Sequence, residues 1–89
     1  MKSYMAKFAI AKQLAGKRLI TNDGEEIGRV VDMDIEPTEG KILSVIAEPN
    51  ADSLTAIKLK KEGKMIVIDY AAILAVSDHM IVDKKSLGV

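Results

Sequence analysis

A chain of 89 residues with zero formal net charge, no cysteine and only 3% aromatic residues makes one small domain with an aliphatic core. Balanced charge gives no overall pull toward nucleic acid or an acidic membrane, and without cysteine neither disulfides nor thiolate metal sites can form. Residues 71–76 are the longest apolar run, far short of the ~20 residues of a membrane helix, so no membrane span and a cytoplasmic location are expected.

Hydrophobic residues make up 48% of the chain, and a core of Ile, Val, Leu, Met and Ala suits strands. A domain this small buries only about 60–65% of its unfolded surface, so efficient packing or association has to supply its stability. Charge is unevenly spread. Lys2, Lys7, Lys12, Lys17 and Arg18 precede Ile20 without an acid. Residues 23–39 then hold Asp23, Glu25, Glu26, Asp32, Asp34, Glu36 and Glu39 against Arg29 alone. The two segments are expected to compensate each other side by side, the sharper alternative being a basic interaction arm.

Residues 1–12 are read as a flexible N-terminal arm. Tyr4, Phe8, Ala11 and Ala15 share a helical face, but lysines 2, 7 and 12 smear around it, so extended structure is favoured from about Phe8 onward. Lys7 and Lys12 also interrupt any signal-peptide core. Residues 17–20 read as a strand. Asp23-Gly24 is a strong hairpin signal, because glycine supplies positive φ without steric cost. Residues 26–36 read as a long strand with Ile27, Val31, Met33 and Ile35 inward and Asp32, Asp34 and Glu36 outward. Gly28 within it predicts a bend or a close backbone approach.

Pro37 and Gly40 mark the next turn. Residues 41–48 are apolar on both faces (Ile42, Leu43, Val45, Ile46, Ala47), which predicts a strand covered on both sides, one covering being another subunit. Residues 49–53 read as a loop. Residues 54–59 read as a strand with Ile57 and Leu59 inward, turning through residues 61–64 into a partner over 65–68. Asp69 is expected to cap one helical turn over residues 69–72. Residues 73–76 and 79–82 form a closing hairpin, and a polar tail follows from Asp83. Short strands and turns at this spacing predict an all-β barrel or sandwich.

Reactive constellations are weak. The series Asp32-x-Asp34-x-Glu36 faintly echoes a calcium loop, yet Pro37 stands where that loop needs glycine and Leu43 where it needs a bidentate acid. It reads as a solvated acidic face. His79 is the single histidine and cannot anchor zinc alone; it is read as structural or exposed. The glycines are scattered at turns, not gathered in a phosphate loop. Lys58, Lys60, Lys61 and Lys64 form a local basic cluster, read as a solubilising edge and, alternatively, as contacts to RNA or the ribosome. No catalytic, cofactor-binding or metal residues are assigned.

Gly16-Lys17, the stretch Asp23-Gly24-Glu25-Glu26-Ile27-Gly28-Arg29-Val30 with Asp32, the turn from Glu36 to Ile42, and the stretch from Ile73 to Asp83 together resemble the PRC-barrel family. The resemblance covers roughly residues 13–84, leaving 1–12 as the arm and 85–89 as a C-terminal tail. It is closest to stand-alone archaeal members. Many relatives place a proline where this chain has Asp69, before Tyr70. The resemblance implies a small, partly open six-stranded barrel without catalytic residues. It also implies docking onto another macromolecule, as in the photosynthetic reaction centre and a ribosome-maturation factor, or bridging of archaeal division proteins. Stand-alone members resemble homodimers. The expected role is therefore a non-catalytic protein-interaction or adaptor module that binds itself or another protein. Ile42, Leu43, Val45 and Ile46 are the candidate interface; Asp23, Gly24, Gly28, Asp32, Pro37 and Gly40 are structural turn and bend residues. The competing role is an RNA-processing or ribosome-maturation factor.

Overall fold

Strand β2, Glu26–Ile35, is the spine of a single seven-stranded sheet ordered β4-β5-β3-β2-β1-β7-β6. The computed structural model describes residues 12–89. The other strands are β1 (Arg18–Thr21), β3 (Ile42–Pro49), β4 (Lys61–Glu62), β5 (Met65–Asp69), β6 (Ile73–Val76) and β7 (Met80–Val82), and a short helix, α1 (Leu54–Lys58), lies between β3 and β4. Neighbouring strands pair antiparallel except β1 and β7, which run parallel. The expected mostly-β fold is present as an open, unclosed sheet. Its strand count exceeds six by counting the two-residue β4.

Ile66 and Ile68 of β5 and Met80 and Val82 of β7 come from opposite parts of the sheet, yet they share one core with Leu19, Ile27, Val30, Met33 and Val45. Strands so far apart in the sheet order meet only if the sheet curls around its inner face. Burial of these aliphatic side chains is the main stabilising term, and Ala56, Leu59 and Ala72 belong to the same core.

Two irregularities in β2 shape that curl. Opposite β1 the register passes from Leu19–Gly28 to Ile20–Glu26, leaving Ile27 as an extra residue. Opposite β3 it passes from Val30–Ala47 to Asp32–Ile46, leaving Val31 extra. A bulge adds a residue to one strand and resets which face the following side chains occupy. Val31, expected inward from strict alternation, is therefore outward and exposed, while Val30 is buried.

Sequence and structure also part over residues 54–59, where a strand was expected: residues 54–58 are helical, and Leu59 follows as an extended, buried residue. Ser53 caps the helix, its Oγ accepting from the Ala56 N–H at 3.0 Å. Helical periodicity turns Thr55 and Ala56 inward and leaves Ile57, expected inward, exposed. Asn50 orders the preceding loop by donating from Nδ2 to the Glu26 carbonyl and accepting from the Asp52 N–H, both at 3.0 Å.

Smaller corrections follow the same local physics. Residues 12–14 are helical, not extended, and Leu14 is buried; the remainder of the arm lies outside the described residues. A 3-10 turn spans Tyr70–Ala72, but Asp69 makes no side-chain cap hydrogen bond. Residues from Asp83 do not simply trail away. Lys84–Leu87 form a second 3-10 turn, and Leu87 packs on the core.

Candidate interaction surfaces

At the first hairpin, Gly24 takes φ 94 and its N–H donates to the Thr21 carbonyl at 2.9 Å, so Asp23-Gly24 reverses the chain. The buried Thr21 hydroxyl accepts from the Glu25 N–H at 2.9 Å and donates to Asp23. The turn thereby aims the Glu25 carboxylate at the start of α1. It accepts from Ser53 Oγ at 2.6 Å, from Thr55 Oγ1 at 2.7 Å and from the Thr55 N–H at 3.2 Å. Lys84 Nζ reaches Asp23 at 3.2 Å and Glu25 at 3.4 Å. One carboxylate thus ties the hairpin, the helix and the C-terminal turn together.

Hydrogen bonds from Ser53 and Thr55 hold the Glu25 carboxyl at about 2, well below its ordinary 4.5, because each donor favours the ionised form. Thr21 and then Lys84 lower Asp23, and Asp23 followed by Glu25 raises Lys84. A carboxyl depressed by folding stabilises the native state above its unfolded pKa, and that stabilisation is lost as pH falls toward the folded value. Thermal melts are expected to fall between 4.5 and about 2, with Glu25→Gln showing a flatter dependence in that window. An identical slope in both proteins would refute the assignment. Ser53→Ala removes both the helix cap and a Glu25 partner; a loss of about 1–2 kcal/mol is expected in denaturant titration.

Sequence reading missed Glu25. Ser53 before the run Leu54-Thr55-Ala56-Ile57-Lys58 was the available helix-start signal, but only the folded topology brings residue 25 to it. The predicted compensation of acids 23–39 by the N-terminal bases is seen in part, through Arg18 Nε to Glu26 at 3.8 Å. Asp23 and Glu25 instead pair with Lys84. Lys2 and Lys7 lie outside the described residues.

A second surface is the outer face of β2, β3 and β5. Cross-strand rows place Asp32 beside Ile46 and Val67, and Asp34 beside Ser44 and Asp69. Ser44 Oγ donates to Asp34 at 3.1 Å. Val31 and Leu43 stand out from it, 44% and 53% exposed. Leu43 projects because it is the extra residue of another register shift, between the Ser44–Asp34 and Ile42–Ile35 pairs. The four interface candidates therefore separate. Leu43 is outward and Ile46 half-buried on the outer face, while Val45 is fully buried and Ile42 packs against the core. β3 is covered on one face by its own sheet, not on both as its composition suggested.

Asp32 is an exposed acid whose Oδ1 accepts from the Met33 N–H at 2.8 Å. Removing a single part-buried bond of this kind is expected to cost about 1 kcal/mol or less for Asp32→Ala in denaturant titration. Asp32, Asp34 and Glu36 do not form a metal cluster; Glu36 turns back to accept from the Thr38 N–H at 3.0 Å. Pro37 lies in the turn that Gly40 closes, its N–H donating to the Glu36 carbonyl at 2.8 Å. His79 is exposed in the β6–β7 turn.

The four lysines are also divided. Lys58 lies on α1, and Lys60 and Lys64 are exposed. Lys61 Nζ donates to the Ile57 carbonyl at 2.9 Å and the Ala56 carbonyl at 3.2 Å, so it satisfies the open end of the helix and is not a free RNA contact. Beside Lys58 the helix presents Leu54 and Ile57, 74% and 62% exposed.

Among the described residues no helix is long and apolar enough to cross a membrane. The family model for the PRC-barrel domain matches residues 8–87. An uncharacterised protein, MJ1118, of Methanocaldococcus jannaschii is 30% identical over 78 residues, covering 88% of this chain and 84% of that protein.

Proposed function

The chain belongs to the PRC-barrel domain family, and on that premise we propose that it is a non-catalytic protein-interaction module that associates with copies of itself within a larger assembly. The observation that carries this reading is the outer β2–β3–β5 face, where Val31 and Leu43 are exposed beside Ile46 and Val67, with aspartates between them. An aliphatic surface rimmed by polar groups is what a docking site requires. Lys58, Lys60 and Lys64 offer an RNA backbone charge, but the chain holds only three aromatic residues, Tyr4, Phe8 and Tyr70, to stack a base, so support for a ribosome-associated role is weaker.

Light scattering on the purified chain over a concentration series tests the proposal. A mass above one chain is expected. A tagged pull-down from native extract with and without nuclease accompanies it. A strict monomer whose pull-down partners all vanish with nuclease would overturn the reading in favour of RNA.

A further inference from the structure

The outer side of β6 and β7 is apolar and, among the described residues, uncovered. Leu19, Met80 and Val82 are wholly buried, so the intervening Ile20 and Ile81 face outward. Strand register sets Ile20, Ile81 and Ala75 in one cross-strand row. A register shift between Ile73 and Ala75 leaves Leu74 as an extra residue beside that row. Leu74 and Val76 are 58% and 42% exposed. β6 is also the last strand of the sheet, with no described strand on its far side. The opposite edge, β4, is two residues long and carries Lys61 and Glu62, the short, charged form that discourages pairing. β6 carries no charge at all.

Residues 1–11, outside the described residues, are the occupant that the surroundings favour. Lys17 Nζ donates to the Ser77 carbonyl just past the end of β6, so the chain preceding Lys17 joins the domain beside this strand. The family match begins at residue 8, ten residues before β1, so Phe8 and Ile10 fall within the matched domain. Charge is complementary. Residues 1–11 hold Lys2 and Lys7 and no acid, whereas residues 73–83 hold Asp78 and Asp83 and neither lysine nor arginine. Neither aspartate has an ion-pair partner among the described residues. Reach is ample: a segment of that length spans about 16 Å as a helix and about 36 Å extended, while two strands of four residues cover about 10 by 13 Å.

We infer that residues 1–11 of the same chain lie against the outer side of β6 and β7, with Phe8 and Ile10 on Leu74, Ala75 and Ile81 and with Lys7 toward Asp78. The contact removes an aromatic and several aliphatic side chains from water together. It also shields the one uncharged edge of the open sheet, which otherwise invites a strand from another chain. Association between copies is then left to the β2–β3–β5 face. The inference goes beyond the self-association proposed above and does not depend on it.

Nuclear magnetic resonance of the full chain tests it, on the wild type and on Phe8→Ser/Ile10→Ser. Wild type is expected to show Overhauser contacts between the Phe8 ring and the methyl groups of Leu74 and Ile81. In an equimolar mixture of labelled and unlabelled chains, these contacts are expected to arise within one chain. In the variant, the amides of residues 73–76 are expected to exchange about tenfold faster or more, while those of residues 45–47 and 66–68 keep their wild-type rates. Absence of the Phe8 contacts in wild type overturns the inference whether or not the variant folds. So does equal exchange of residues 73–76 in both proteins. Contacts that arise only between differently labelled chains, or protection of β6 that grows with protein concentration, assign the surface to a second copy instead. Light scattering reads the self-association proposal separately, so either reading can fail while the other stands.

Discussion

Gly28→Ala is expected to destabilise the domain by about 3 kcal/mol or more, a large part of the roughly 5–10 kcal/mol typical of a chain this size. A Cβ at that position would sit 2.5 Å from the Glu48 carbonyl oxygen and 3.4 Å from Ile66 Cδ1. The first contact is far inside van der Waals range, and it is with backbone. Gly28 pairs with Pro49 on one side and Leu19 on the other, so relief requires moving β3 away from the middle of the sheet. Denaturant titration checks the magnitude. Ile66→Val in the Gly28→Ala background removes the side-chain contact alone, and little recovery is expected because the carbonyl clash persists. A Gly28→Ala midpoint equal to wild type would show that the approach is not as close as the structure places it.

Val45→Asp is expected to abolish cooperative folding, whereas Leu43→Asp leaves the thermal transition nearly unchanged. The two residues are separated only by Ser44, and sequence reading grouped both in one candidate interface. Val45 is 0% exposed, between the core-facing side chains of β2 and β5, while Leu43 is 53% exposed. An aspartate at 45 would lose its water without a partner, a cost of several kcal/mol that a small domain cannot absorb. At 43 it stays hydrated. Thermal melts followed by circular dichroism separate the cases; equal behaviour at both sites would refute the register of β3.

Much of the fold was legible because its signals are local. Asp23-Gly24 and the Pro37–Gly40 turn demand reversals whatever surrounds them. The strands at residues 18–21, 26–35, 65–69 and 73–76 follow their β-branched runs. Residues 54–59 failed because Ile57 and Leu59 fit a period of two as well as a helix, and the Ser53 cap was the weaker visible signal. Val31 failed because a bulge is invisible to strict alternation.

Composition and order alone determined that the chain is mostly β, aliphatic in its core, without cysteine, and hinged on glycine where strands turn or meet closely. Those are properties of each residue and its immediate neighbours. Only the tertiary structure decided that β1 lies parallel to β7, that Glu25 binds the start of α1, and that Val45 is core while Leu43 is surface. Register and strand order depend on contacts between residues distant in the chain. A shift of one residue moves a side chain from the core to water, so the exposure of Val31 and Leu43 on the outer face became visible only once the bulges in β2 and β3 were placed.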